Sequence, residues 1–194
     1  MKNLSIIYSK ISPEVREAGA LWYKEARDFT IVLSNRYSID RAKVTGILSA
    51  LSPGTNYDQN KKDCEQLIKL QLGLIQSAKF TTYGQNVLKA KKIFSSDKDP
   101  LTFFNPKTGF KTYSFYLNIL NPDSNEHVTI DRHAYSIATG ETYSGLTVKQ
   151  YLTIADHYKS HANKLGILAC DLQAVLWVNY RIQNDIQQKK DVPF

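Results

Sequence analysis

Apolar residues recur at spacings of three and four along most of the chain, the period of a helix face rather than of a strand. Ser12-Pro13-Glu14 is a helix start, with a hydroxyl cap, a proline in the first turn and an acid beside it. Val15, Ala18, Leu21, Trp22, Ala26, Phe29 and Leu33 follow near helical spacing, and the Trp22-Tyr23 pair is expected in the core and at its edge. Asp40 caps a second helix to about Leu51, with Val44, Ile47, Leu48 and Leu51 on its inner face, and Ser52-Pro53-Gly54 stops it. Asp58 is expected to cap a third, with Cys64, Leu67, Ile68, Leu72 and Ile75 inward. Tyr83-Gly84 precedes a fourth, Gln85 to Phe94, which turns Lys89, Lys91 and Lys92 outward. Thr147 caps a long helix to about Leu165, with Leu152, Ala155 and Tyr158 inward and Gly166 ending it. A last helix, from about Leu168 to Gln187, carries Leu172, Val175, Leu176, Val178 and Ile182, followed by a polar tail expected to fray. The pattern holds no strand series and no repeat, so the expected fold class is all-α.

Between the fourth helix and the long one, the stretch from Asn105 to Gly140 holds the densest candidate chemistry. A Pro/Gly turn leads into a helix with Lys111 near its start, and after a polar loop Asp131 opens a second helix. Desolvation, a nearby cation or a helix N-terminus lowers a lysine pKa and makes the amine a nucleophile. An aspartate at an N-cap accepts backbone N–H bonds, and can steady a cationic transition state or orient a water. Read singly, Lys111 is a solvated lysine and Asp131 a structural cap; their placement at two neighbouring helix mouths is what suggests a site.

Composition narrows the partners. The formal charge is +7, which favours an anionic partner such as nucleic acid. Cys64 and Cys170 are far apart and form no metal-binding pair, and a reducing intracellular compartment suits them. His157 and His161, with Asp156, have an i,i+4 spacing but no further ligand, so no metal is expected. The N-terminal apolar run is too short for a signal peptide, and none approaches the roughly 18 residues of a membrane span.

Pro106-Lys107-Thr108-Gly109-Phe110-Lys111-Thr112 resembles the hairpin and helix start of the helix-hairpin-helix DNA glycosylases, the endonuclease III and oxoguanine glycosylase type. Val128-Thr129-Ile130-Asp131-Arg132-His133 resembles their later V-D-x-H segment. Ile47 to Ser52 with Asn60-Lys61 is similar to their LLSAQ…N segment, and Thr81 to Ala90 to their G-x-x-x-x-K-A segment. Together these cover about residues 40 to 190 in the family's helical order. The chain departs from the pattern at Lys107, which replaces the first hairpin glycine, and at Leu51, which replaces the wedge glutamine; a C-terminal cysteine cluster is missing, and the chain is short for the family.

The resemblance implies a two-lobed all-α fold with a cleft between lobes, one of about 40–140 and one of 1–39 with 141–194. It implies a short, phage-type member that acts as a monomer on duplex DNA inside the cell, needs no cofactor, and flips a modified or damaged base out of the stack to excise it. Lys111 matches the family's Schiff-base lysine and Asp131 its essential aspartate. Lys107, Thr108, Gly109, Lys89 and Arg132 are the expected DNA contacts. Leu51, Ser52, Asn56, Tyr57 and His133 are the expected base pocket or wedge. Two alternatives stay open: a phage-type enzyme that modifies a pyrimidine base on the same fold, and a non-catalytic DNA-binding module.

Overall fold

A computed structural model describes residues 1–184. These residues are helical, with no strand among them. The helices are α1 (Leu4–Ser9), α2 (Pro13–Tyr37), α3 (Arg41–Leu51), α4 (Tyr57–Gln71), α5 (Gly84–Ser95), α6 (Phe110–Leu120), α7 (Arg132–Thr139), α8 (Val148–Leu165) and α9 (Ala169–Gln183), with a 3-10 turn at Pro100–Phe103. The expected continuation of the last helix to Gln187 and the polar tail lie outside the described residues. None of the described helices is long and apolar enough to cross a membrane.

Most boundaries follow the capping chemistry of the sequence. Ser12, Asp40 and Thr147 each accept a hydrogen bond from the first turn of the helix they open, and Gln150 returns the bond to Thr147 in a capping box. Helix α4 differs from expectation. Its cap is Asn56, whose side chain accepts from Gln59 N–H at 2.9 Å. Asp58 instead sits in the first turn, where its charge suits the helix dipole, and pairs with Lys61 at 3.0 Å. Helix α1 went unpredicted because six residues are too short to display a period.

The buried faces are shifted from the expected ones in α2 and α8, and α9 departs at one residue. Along α2 the inward residues are Gly19, Tyr23, Ala26, Thr30 and Leu33, whereas Leu21 is exposed. The cause is a close crossing with α9: a Cβ at Gly19 would come within 2.4 Å of Val175 Cα. Along α8 the face is Tyr151, Ile154, Ala155, Tyr158 and Ala162, and Leu152 is exposed. In α9, Leu172, Val175 and Leu176 are buried as expected, and Ile182 faces solvent.

Buried apolar residues form two clusters. One joins the later part of α2 to α3, α4, α5 and α6, and includes Cys170, Ala174 and Trp177 of α9. The other joins α1, the extended segment Val128–Ile130, α7, α8 and the other face of α9. Helix α9 therefore serves both, and the Asn105–Gly140 stretch crosses from one to the other. His157 and His161 dock the N-terminal segment: His157 Nε2 lies 2.8 Å from Lys2 O, just before α1, and His161 Nδ1 2.7 Å from Ser5 Oγ.

Candidate functional site

The turn before α6 is built by Asn105. Its side chain accepts from Lys107 N–H at 2.7 Å and its carbonyl from Gly109 N–H at 2.9 Å. A side chain at Gly109 would crowd that carbonyl, since a Cβ there would lie 3.3 Å from it. Lys107 and Thr108 are left exposed at the tip, and Lys111 enters in the first turn of α6. Lys111 is half-buried, and burial of its amine pushes the pKa down to about 8. Asp131 opposes that shift and Arg132 reinforces it.

Asp131 is 3% exposed and caps α7. One carboxylate oxygen accepts from Ala134 N–H at 2.7 Å, and the other accepts from the Trp177 indole N–H at 3.1 Å. Trp177 carries the Arg181 guanidinium 4.5 Å from its ring centroid. The carboxylate is thus fixed by its own helix and by α9, with a cation one residue layer behind it.

Tyr151 of α8 ties the two helix mouths together. Its hydroxyl donates to Val128 O at 2.8 Å, accepts from Ile130 N–H at 3.1 Å, and lies 3.2 Å from Ser114 Oγ of α6. Its ring stacks on Phe110, next to Lys111, at 5.1 Å. Asn118 adds a second tie, donating to Thr129 Oγ1 at 3.1 Å. The Tyr151 phenol and the Asn118 amide therefore set the spacing between the segment that delivers Lys111 and the segment that delivers Asp131.

Both groups line a cleft of about 670 Å³. Of the expected site residues, the cleft also gathers Lys107, Thr108, Gly109 and Arg132. The others lie elsewhere. Lys89 sits on α5 with its ammonium 5.6 Å from the Phe104 ring centroid. Leu51 is fully buried in the first apolar cluster, and Ser52 is buried with its hydroxyl donating to Ser49 O at 2.9 Å. Asn56 is spent on capping α4. Tyr57 packs against Trp22 at 4.7 Å, under the Lys61 ammonium. His133 is buried behind the cleft, with its ring 5.4 Å from that of Tyr180. Burial holds its imidazole below the ordinary range; Asp131 opposes this, and Arg132, Arg181 and Lys111 reinforce it.

The rest of the lining comes from the Pro53-Gly54 turn, Tyr83, and the loop that holds Tyr143 and Leu146. Sequence reading passed over Tyr151, Trp177, Tyr83 and Tyr143. Only Tyr151 left a signal, because Tyr151, Ile154, Tyr158 and Ala162 keep a helical period that Leu152 breaks. The two cysteines offer no rival nucleophile: both are buried, which pushes the Cys170 thiol up to about 12 and Cys64 higher still. Among the described residues no cluster of His, Cys, Asp or Glu could hold a metal ion.

No curated protein and no solved structure matches this chain. The model of DUF7178, a family of unknown function, matches residues 1–184, and the chain belongs to that family.

Proposed function

We propose that the protein is a DNA N-glycosylase with lyase chemistry, acting on a modified or damaged base that leaves the duplex to enter the cleft. One observation carries the reading: a lysine with a lowered pKa and a buried, doubly held carboxylate open two helices onto one cleft, beside an exposed basic turn. Such a pair supports substitution at a sugar carbon. The neutral Lys111 amine forms a bond to C1′ as the glycosidic bond breaks; the bonding electrons leave with the base, which takes up a proton as the new ammonium releases one. Asp131 lowers the energy of the positive charge that develops on the sugar. The nitrogen lone pair then expels the ring oxygen, which takes up a proton, to give an imine between Lys111 and the sugar; loss of a C2′ proton from that imine eliminates the 3′ phosphate. Lys107 at the turn and Arg132 at the cleft hold backbone phosphates. The two apolar clusters are taken as the two lobes, and the protein acts as a monomer on DNA in the cell without a cofactor.

The test is a panel of oligonucleotide duplexes carrying damaged and phage-type modified bases, incubated with the protein and read by mass spectrometry. Release of a free base from at least one member supports the reading. A mass change of the base without release would replace excision with base modification. Salt-sensitive binding with no turnover across the panel would leave a DNA-binding module.

A further inference from the structure

Two tyrosines stand at the cleft with much of their rings in solvent: Tyr83 is 63% exposed and Tyr143 41%. They come from separate parts of the chain, the connection before α5 and the loop before α8, yet both line the cleft that holds Lys111 and Asp131. Exposed aromatic rings are ordinarily mobile, but these are braced. The Tyr83 ring packs over the Pro53-Gly54 turn so closely that a Cβ at Gly54, where φ is +80°, would lie 3.1 Å from it. Next to it, the Thr82 hydroxyl donates to Pro53 O and accepts from Asn86 Nδ2 at 2.9 Å, which fixes the turn to α5. The Tyr143 ring meets the buried Tyr135 edge-on at 5.6 Å, and the Tyr135 hydroxyl donates to Glu141 Oε2 at 2.9 Å. Neither ring is needed to complete a core, since both remain open to solvent after bracing.

Resting on the nucleic-acid reading above, we propose that Tyr83 and Tyr143 are a base clamp, which stacks on the faces of the extruded base while Lys111 and Asp131 act at its sugar. The ligand class is therefore a planar heteroaromatic ring. Stacking accepts any π face, so the clamp supplies affinity for a base and little discrimination among bases. Polar groups in the cleft must supply the discrimination.

The test uses two short duplexes. In one, a single base stands opposite a tetrahydrofuran abasic analogue, with each of the four common bases tried in turn. In the other, both positions are tetrahydrofuran. Anisotropy titrations give the affinity ratio that one unpaired base provides. A clamp predicts that the wild type favours the base-bearing duplex by about 5- to 150-fold for at least one base. Tyr83→Ala and Tyr143→Ala should each lose most of that preference while keeping their affinity for the doubly abasic duplex, and Tyr83→Phe and Tyr143→Phe should retain the preference. A wild type that binds both duplexes equally, or Ala variants that keep the full preference, would overturn the clamp and leave the DNA reading standing. A Phe variant as poor as Ala would reassign the position to its hydroxyl and likewise overturn stacking. A wild type that binds neither duplex would remove the DNA reading and the clamp with it.

Discussion

Replacing Lys111 by methionine should stabilise the protein while removing the proposed nucleophile. Methionine is unbranched and only one atom shorter than lysine, and it discards the charge that burial penalises. The amine titrates near 8 in the fold against an ordinary value of 10.5, a gap equivalent to roughly 3 kcal/mol at neutral pH at about 1.4 kcal/mol per tenfold. That gap is already net of the attraction to Asp131, which holds the pKa up; the poorer fit of the shorter methionine takes back part of it. A net gain of about 1–3 kcal/mol remains, or about 2–12 °C in melting temperature for a chain of this size. The pH dependence carries a definite sign. The folded pKa lies below the unfolded one, so the native state is penalised fully below about 8, and the penalty fades as pH rises from there toward 10.5. Thermal melts followed by circular dichroism, wild type against Lys111→Met at pH 7 and again near pH 10, measure the difference. A variant that melts no higher than the wild type at pH 7 would refute a desolvated amine, as would a gain that stays constant with pH. Sites that carry such a penalty are commonly functional, because stability is lost there for reactivity.

Asp131→Asn should do more than remove a charge. The amide can still cap α7 through its oxygen, but its NH₂ then meets the Trp177 N–H, donor against donor. Capping alone leads one to expect a change below about 1 kcal/mol; the second bond raises the expected loss to about 1–3 kcal/mol, measurable by urea denaturation, together with loss of turnover. Tyr151→Phe keeps the stack on Phe110 and leaves the Ile130 N–H without its partner, so a loss of about 1–3 kcal/mol is expected. The same variant should lower the single-turnover rate without altering the affinity for duplex DNA, since Tyr151 spaces Lys111 from Asp131. Lys107→Ala, at the exposed tip of the turn, should weaken binding to all duplex sequences alike and flatten the slope of log affinity against log salt by about one.

Helix order and the two candidate reactive groups were legible because they rest on local rules. Caps at Ser12, Asp40, Asp131 and Thr147 and the glycine at 166 are short-range signals, and the turn before Lys111 is written into Asn105 and Gly109. What could not be read was set by neighbours distant in sequence. The rotation of α2 depends on Val175 meeting Gly19. The second bond to Asp131 comes from a tryptophan 46 residues away. Leu51 looked like a wedge because it takes the wedge glutamine's place in a resembling segment, yet the apolar face of α3 carries it into the core. Tyr83 and Tyr143 gave no periodic signal because loop residues have none, and only the fold brings them to one cleft.

Attack of the Lys111 amine on the sugar can be tested by borohydride trapping on abasic-site DNA, which needs no knowledge of the target base. The wild type should become covalently fixed to the strand, and Lys111→Gln should not. The adduct should form faster as pH rises through about 8, because the neutral amine grows from about one tenth of the population at pH 7 to about nine tenths at pH 9. An adduct that persists in Lys111→Gln, or a wild type that forms none anywhere between those two pH values, would contradict that attack.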